Sequence, residues 1–354
     1  MRFHVTDKKG KSKCHKMHVG KRNSFCPTLK VHGSVIQEVT EDTYLGDVLS
    51  ADGRNTKNIS ERISKGLGII SQIFNLLDRI SFGPHLIEIA VLLRNSMLVN
   101  GTLTNAEIWY NLSKSEIYEF EKLDILFFSK LFEVPGTTPH EAFFLELGIL
   151  PVDAIIKARR INYLYSILKR DKSSMLYSFF VTQWNNPTKG DWTEEVKQDL
   201  EDFGITCSFE QILKKSKLSF KNLVKAKAQD YALDNLLKKQ SKHSKMENLT
   251  YRELKMQSYL SSEEIKTSEK KTIFKFRTRM ERFGENFRGS QGPIICPLCQ
   301  THLDNQEMSY QCLEIRKRVE IKGGLSEIYK NDIKPEAIQT IVKISDYRKL
   351  HLGY

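Results

Sequence analysis

The stretch EDTYLGDVLSADGRN, residues 41–55, is typical of a short β-segment, a glycine turn and the start of a helix. Residues 44–49 are a strand candidate, and Asp52-Gly53 closes it with a residue pair that suits positive φ. Asn55 or Thr56 can cap a helix, because a short polar side chain can accept a free backbone N–H. The stretch therefore predicts a hairpin that leads directly into a helix.

Helical patterns dominate after residue 55. An apolar stripe at three- and four-residue spacing predicts one long amphipathic helix, with Lys57, Arg62 and Lys65 on its other side. The stripe comprises Ile59, Ile63, Leu67, Ile70, Phe74 and Leu77. Ser113 and Glu116 form the capping-box pattern of a later helix. We expect a mainly α fold with a small antiparallel β element near the N-terminus.

Positive charge is concentrated in one part of the chain. The 354 residues carry 55 Lys and Arg against 43 Asp and Glu, a net charge of +12. Between Lys214 and Arg288 there are 20 basic and 9 acidic residues. Such an excess attracts polyanions and favours nucleic-acid binding. The alternative is an ordinary solvated helical surface.

Composition argues against several other classes of protein. Hydrophobic residues make up 40% of the chain, which is enough for a packed core. Mean hydropathy is −0.42, and no apolar run approaches the length of a membrane span. Six cysteines are too few for a disulfide scaffold in a chain of this size. We therefore expect no membrane partner and an intracellular protein, in the cytoplasm or the nucleus, with protein partners undetermined.

Several motifs occur in an order that resembles reverse transcriptases of non-LTR (LINE-type) retrotransposons. Residues 11–17, KSKCHKM, are similar to the K-x-K-x-M segment that follows the catalytic strands of that family. The Tyr44-Leu45-Gly46 hairpin resembles the primer grip, which precedes the thumb helices. Residues 54–110 look like the thumb, and LELGILP, residues 145–151, is similar to the region beyond it.

The resemblance implies a division of the chain and a set of residues that contact RNA and DNA. The implied segments are 1–53 (end of the palm with the primer-grip hairpin), 54–135 (thumb), 136–207 (helical connector), 208–288 (basic helical segment), 289–315 (zinc-knuckle-like element) and 316–354 (tail). The implied contacts near the hairpin are Lys13, Lys16, Tyr44, Leu45, Gly46, Lys57, Arg62 and Lys65. Lysine and arginine there would follow a duplex backbone without reading its sequence.

The chain lacks one feature that polymerase chemistry needs. Two-metal phosphoryl transfer requires carboxylates that hold two divalent ions close together. In the resembled family two adjacent aspartates supply them, but no Asp-Asp pair occurs in this sequence. The resemblance would place that pair, with the fingers, before Met1. We therefore expect Mg²⁺ only in the parent polymerase, no catalytic residue in this chain and no synthesis by it alone.

Residues 296–312 contain a candidate zinc site. Cys296 and Cys299 form a C-x2-C pair, and His302 and Cys312 bring the number of candidate ligands to the four that Zn²⁺ prefers. The family usually has a histidine shortly before the last cysteine, and Met308 stands there. Either His302 substitutes or three ligands remain. The alternative to a metal site is a turn with reduced cysteines.

A basic stretch, residues 270–287, lies immediately before these cysteines. Lys271, Lys275, Arg279 and Arg282 recur at three- and four-residue spacing and predict a ridge suited to RNA or DNA. The interleaved apolar residues predict a buried side rather than base-stacking platforms. They are Ile273, Phe274, Phe276, Met280, Phe283 and Phe287.

Two other interpretations stay open at this point. The chain is alternatively a domesticated basic helical protein that binds RNA or DNA without any polymerase role. A third interpretation is a decayed gene that yields no stable product. The genomic sequence upstream of Met1 separates the first two, because remnants of the fingers there would favour the retrotransposon origin.

Overall fold

The computed structural model describes residues 15–17, 28–31, 34–44, 46–287, 289 and 292–353. Helices account for 61% of the structure and strands for 5%. The predicted mainly α fold with a small antiparallel sheet near the N-terminus is therefore confirmed. Two predicted nucleic-acid residues, Lys13 and Leu45, lie outside the described residues. None of the helices in the described part of the chain has the length and apolar character to span a membrane.

Short strands precede the first helix and pair two by two. They are β1 (His15–Lys16), β2 (Lys30–Val31), β3 (Ser34–Val35), β4 (Gln37–Glu38), β5 (Glu41–Tyr44) and β6 (Asp47–Ser50). β1 pairs with β4 in parallel, whereas β2 with β3 and β5 with β6 are antiparallel. The β5–β6 pair is the predicted hairpin, with Tyr44 opposite Asp47.

Helices form the rest of the molecule. They are α1 (Thr56–Arg79), α2 (Leu86–Leu93), α3 (Asn100–Thr102), α4 (Lys114–Phe132), α5 (His140–Leu147), α6 (Val152–Leu168), α7 (Met175–Asn185), α8 (Trp192–Asp202), α9 (Phe209–Lys214), α10 (Lys217–Gln240), α11 (Ser258–Ser261), α12 (Thr267–Arg277), α13 (Gln306–Ser309), α14 (Leu313–Arg316) and α15 (Pro335–Leu352). A π-helical segment, Arg94–Val99, joins α2 to α3.

Helix α1 buries a face slightly different from the predicted stripe. The stripe residues that are buried are Ile59, Ile70, Phe74 and Leu77. Leu67 is 46% exposed, so its predicted burial is wrong. Gly66 is buried instead, at a point where an added Cβ would collide with the Leu123 side chain of α4. Because α1 and α4 approach closely at Gly66, the buried face of α1 includes Gly66 rather than Leu67.

Two features fix α4 in the fold. Ser113 caps it as predicted, because its Oγ accepts the Glu116 N–H at 3.2 Å and the Glu116 carboxylate accepts the Ser113 N–H at 2.8 Å. Farther along, Asp124 pairs with Arg94 of the π-helical segment, and both side chains are almost fully buried. The Arg94 Nε lies 2.9 Å from the Asp124 Oδ1. This pair ties α4 to the end of α2.

Two hydrophobic clusters make up the interior. The larger one draws residues from Ile59 to Ile344 and therefore crosses most of the segments implied by the resemblance. The smaller one draws residues from Ile161 to Ala228, on α6 to α10. The segment boundaries stay a prediction, but the segments from the thumb to the tail share a common interior.

The basic segment 208–288 contains both surface and core. Helix α10 packs on α6 through one face, with Phe220, Val224 and Ala228 buried. Helix α12 is largely interior. Phe274 on this helix is fully buried, and so is Lys270, which donates from its Nζ to the Pro84 carbonyl at 2.6 Å. The basic segment therefore has a solvated face on α10, whereas most of α12 lies in the interior.

A buried polar cluster joins α5 to three residues between positions 251 and 277. Glu146 on α5 and Arg277 on α12 are both 0% exposed. The Arg277 Nε donates to both Glu146 oxygens, at 2.9 and 3.0 Å. The hydroxyls of Tyr251 and Tyr259 donate to the same carboxylate. Burial, with the Glu146 charge, raises the pKa of both tyrosines well above the usual value, so both remain donors.

Candidate metal centre and basic surfaces

A small hairpin holds the first two cysteines of the candidate metal centre. Ile295 pairs with Leu303, and the Cys296 N–H donates to the His302 carbonyl at 2.7 Å. The turn between these positions is closed by the Gln300 N–H, which donates to the Cys296 carbonyl at 2.9 Å. Gln300 has φ +54°, a conformation that a chain needs to reverse this tightly. The turn brings the Cys296 and Cys299 thiols to the same side.

Cys312 completes a group of three sulfurs. It directly precedes α14, and its Sγ lies with those of Cys296 and Cys299 within 4.8 Å of one another. Cys296 and Cys312 are 4% and 1% exposed, and Cys299 is partly exposed. All three are free thiols. Three thiolates at this separation can hold one Zn²⁺, with a fourth position left for another ligand.

Local hydrogen bonds favour one thiolate over another. Burial raises the pKa of the Cys299 thiol, but hydrogen bonds from Thr301, His302 and Cys312 outweigh burial and lower this pKa to about 6. Burial raises the pKa of Cys312 to about 11. The ionised form is the one that binds metals, so Cys299 is ready to bind and a metal would ionise its neighbours.

The structure does not bring His302 into this group. Among the described residues, the histidine, cysteine and acidic side chains that come together here are the three cysteines alone. His302 contributes its backbone carbonyl to the hairpin rather than its ring to the cluster. Of the two alternatives, the geometry therefore favours three cysteine ligands, and His302 as the fourth ligand stays a prediction. Met308 lies on the separate short helix α13.

Zinc titration of single variants should separate these roles. We expect the wild-type chain to bind about one Zn²⁺ and Cys312→Ser to weaken binding by more than about 100-fold, because loss of even an indirect partner costs 10- to 100-fold. His302→Ala should bind like wild type. Competition with a chromophoric chelator measures all three affinities. Cys207→Ser, at a partly exposed cysteine outside the group, is the matched control. An equal loss in His302→Ala would contradict the three-cysteine site.

The β5–β6 hairpin is fixed to α1 by a buried network around Asp47. Its carboxylate accepts from Arg62 Nη2 at 2.9 Å, from Asn58 Nδ2 at 3.2 Å and from the Asn105 amide. Arg62 is 4% exposed. Its predicted place on an exposed basic face is therefore wrong, since its ion pair with Asp47 holds the guanidinium against the hairpin.

The other predicted residues near the hairpin have mixed surroundings. Lys57 is exposed and pairs with Glu41 of β5. Lys16 is 9% exposed and pairs with Glu38 at 2.9 Å. Lys65 is exposed, and Tyr44 is partly buried. Gly46 is exposed with φ +86°. Of this set, Lys65 and the Gly46 backbone are the groups most open to a ligand.

Ion pairs within the chain engage the predicted basic ridge, whose two lysines lie on α12 and whose two arginines lie beyond its end. Lys271 and Lys275 both face Glu133, at 2.6 and 3.8 Å, and the Lys271 hydrogen bond lowers the pKa of this carboxyl. Arg279 pairs with Glu307 at 2.8 Å. Arg282 is exposed. Lys271, Lys275 and Arg279 therefore have acidic partners in the chain itself.

The apolar side of the same stretch is nearly as predicted. Ile273, Phe274, Phe276, Met280 and Phe283 are buried in the core. Phe287 is 46% exposed, so its predicted burial is wrong, and the Lys245 ammonium lies 5.3 Å from its ring centre. The residue falls on a 3₁₀ turn beyond α12, where the helical spacing no longer holds.

Comparisons of the chain with protein-family models, with curated proteins and with solved structures found no match. Sequence reasoning found the cysteine group but missed the Glu146–Arg277 cluster, whose members are 131 residues apart. It also treated the lysines of α10 only as part of a long basic segment. Their four-residue spacing was a signal that could have separated them from the paired residues of α12.

Proposed function

We propose that this chain is the part of a non-LTR retrotransposon reverse transcriptase that follows the catalytic aspartates. In this proposal it binds RNA and DNA but does not polymerise by itself. The observation that carries the proposal is the unit of β5, a glycine turn, β6 and α1, which has the element order of the resembled primer grip and thumb. Asp47 and Arg62, 2.9 Å apart, hold this unit together.

The hairpin turn is suited to contact a phosphate backbone. Gly46 is exposed and has a positive φ, a conformation that glycine adopts without strain. Backbone N–H groups in such turns bind anions. Because Asp47 is bonded to Arg62, Asn58 and Asn105, the turn sits on a rigid base rather than on a free loop. A site that holds the end of a primer in position needs rigid structural support of this kind.

The three cysteines would add a second, structural element. Zn²⁺ bound by Cys296, Cys299 and Cys312 would tie the hairpin around Ile295 to the start of α14. It would supply folding free energy to a segment with little secondary structure of its own. In this proposal the metal holds the segment in shape beside the exposed Arg282, and it has no part in synthesis.

Polymerisation would need paired carboxylates that this sequence does not contain as an Asp-Asp pair. The carboxylate of Asp47 is engaged by Arg62, and that of Asp52 accepts the Arg54 N–H at 2.9 Å. Two-metal catalysis therefore belongs to the parent polymerase in this proposal, together with its Mg²⁺.

An assay with an RNA template and an annealed DNA primer tests the two halves of the proposal together. We expect a complex with the template–primer in a gel shift, and no primer extension when nucleotides and Mg²⁺ or Mn²⁺ are added. A polymerase with an intact metal site is the positive control. Extension by the purified chain would refute the claim about the missing carboxylates. Absence of a complex at low salt would refute the claim about binding.

A further inference from the structure

The first half of α10 carries an uncompensated row of lysines. Residues 211–229 contain six lysines and no acidic residue. Three of them, Lys217, Lys221 and Lys225, are spaced by four, so they lie along one face of the helix. Each step rises about 6 Å along the axis, a spacing similar to that of successive phosphates along a nucleic-acid strand.

This row faces outward. Lys217, Lys221 and Lys225 are all exposed, whereas Phe220 and Val224 point into the contact with α6. Within the described part of the chain, no ion pair or hydrogen bond engages any of the three ammonium groups. This contrasts with the ridge on α12, whose lysines face Glu133. An ammonium group without an acidic neighbour can bind an external anion directly, whereas a paired ammonium group must first break its ion pair.

A groove with both polar and aromatic lining residues continues from the row towards the hairpin. It has a volume of about 560 Å³ and lies between the start of α10, α6 and the segment around residue 100. Lys217 and Lys221 line one side, and Arg159, Asn162 and Ser166 of α6 line the floor. Glu107 is the acidic residue in its lining.

The groove and the hairpin share a structural link. Arg159 donates to the Leu103 carbonyl and, at 2.9 Å, to the Asn100 side chain, which fixes the groove wall. Asn105, another lining residue, donates to Asp47 at the base of the β5–β6 hairpin. An extended ligand in the groove would therefore pass from the lysine row to the hairpin over a rigid surface.

We propose that Lys217, Lys221 and Lys225 and the adjoining groove bind the phosphodiester backbone of one nucleic-acid strand and lead it towards the hairpin. This inference rests on the proposed function and locates the binding surface on α10 rather than on α12. Lysines and side-chain amides contact phosphate and sugar without distinguishing bases, so binding is independent of sequence.

The triple variant Lys217→Gln/Lys221→Gln/Lys225→Gln tests the inference. Each lost lysine–phosphate contact reduces the slope of the logarithm of affinity against the logarithm of salt concentration by about 0.9 on duplex DNA. We expect the variant to lose a slope of about 2 to 3 and to bind all sequences more weakly. Fluorescence anisotropy with a labelled duplex, an RNA–DNA hybrid and a single strand measures this and shows which form is preferred. Circular dichroism confirms that the variant is folded.

A control variant with the same change of net charge makes the result specific. Lys189→Gln/Lys334→Gln/Lys343→Gln removes three exposed lysines outside α10, and its slope should stay at the wild-type value. Equal losses in both variants would show that only net charge matters and would overturn the inference. So would a wild-type slope in the α10 variant, which would leave the proposed function standing. Wild-type protein that binds no nucleic acid would overturn both.

Discussion

Arg277→Met is expected to lower the free energy of unfolding by about 3–5 kcal/mol, because it leaves the charge of Glu146 buried without its partner. Both side chains are 0% exposed, and Arg277 also donates to the carbonyls of Ile328 and Lys330. Removing the guanidinium therefore also takes the arginine donor away from these two carbonyls. Urea denaturation, followed by circular dichroism, measures the change.

Two further variants make this expectation sharp. Lys271→Met, on the same helix, breaks an ion pair whose Glu133 partner is 64% exposed, and should cost about 1 kcal/mol or less. Adding Glu146→Gln to Arg277→Met should recover part of the loss, because no buried charge then remains. If Arg277→Met is as mild as Lys271→Met, the cluster does not join these segments as described.

Gly148→Ala is expected to be the other severely destabilising change, at about 3 kcal/mol or more. Gly148 ends α5 with φ +62°, a conformation that alanine rarely adopts. An added Cβ would also collide with the backbone between Lys255 and Met256. That backbone cannot move away freely, since Met256 pairs with Leu147 and the Gln257 N–H donates to the Glu146 carbonyl at 2.9 Å.

Gly204→Ala is the matched control, because Gly204 has φ +60° but nothing within 4 Å of an added Cβ. It should cost about 1 kcal/mol, the strain of the backbone conformation alone. The difference between the two variants in midpoint of urea denaturation isolates the collision. Equal effects would mean that the segment around Lys255 does not lie against α5.

Local features of the fold could be predicted from the sequence. The hairpin at residues 41–50 and the Ser113 cap follow from interactions between near neighbours, and both were predicted. The three cysteines were also predicted, because the C-x2-C spacing is itself local. The place of His302 could not be predicted, since it depends on how the hairpin pairs.

Long-range pairing explains what the sequence could not reveal. Arg62 and Lys65 occupy similar positions in the helical pattern. In the structure Arg62 pairs with Asp47 and is buried, whereas Lys65 is exposed. Likewise the spacing of Lys271 and Lys275 in the sequence indicates a basic face open to solvent, whereas in the structure both side chains face Glu133. A helical pattern gives the direction of a side chain and not the charge that it will meet.

The basic segment contributes to the interior, so its role in binding is better tested by substitution than by deletion. Deleting residues 214–288 would remove Arg277 and Phe274 from the interior, so loss of binding would report unfolding. Substitution of exposed lysines on α10 avoids this problem, because the residues on its buried face remain in place.

We propose that this chain binds a nucleic-acid backbone by charge and does not synthesise DNA by itself. The decisive measurement is the affinity of the wild-type chain for a template–primer duplex as the salt concentration is raised. We expect a slope of about −3 or steeper when the logarithm of affinity is plotted against the logarithm of salt concentration, since at least three lysines would displace counterions. A slope near zero, or no measurable complex at low salt, would contradict it.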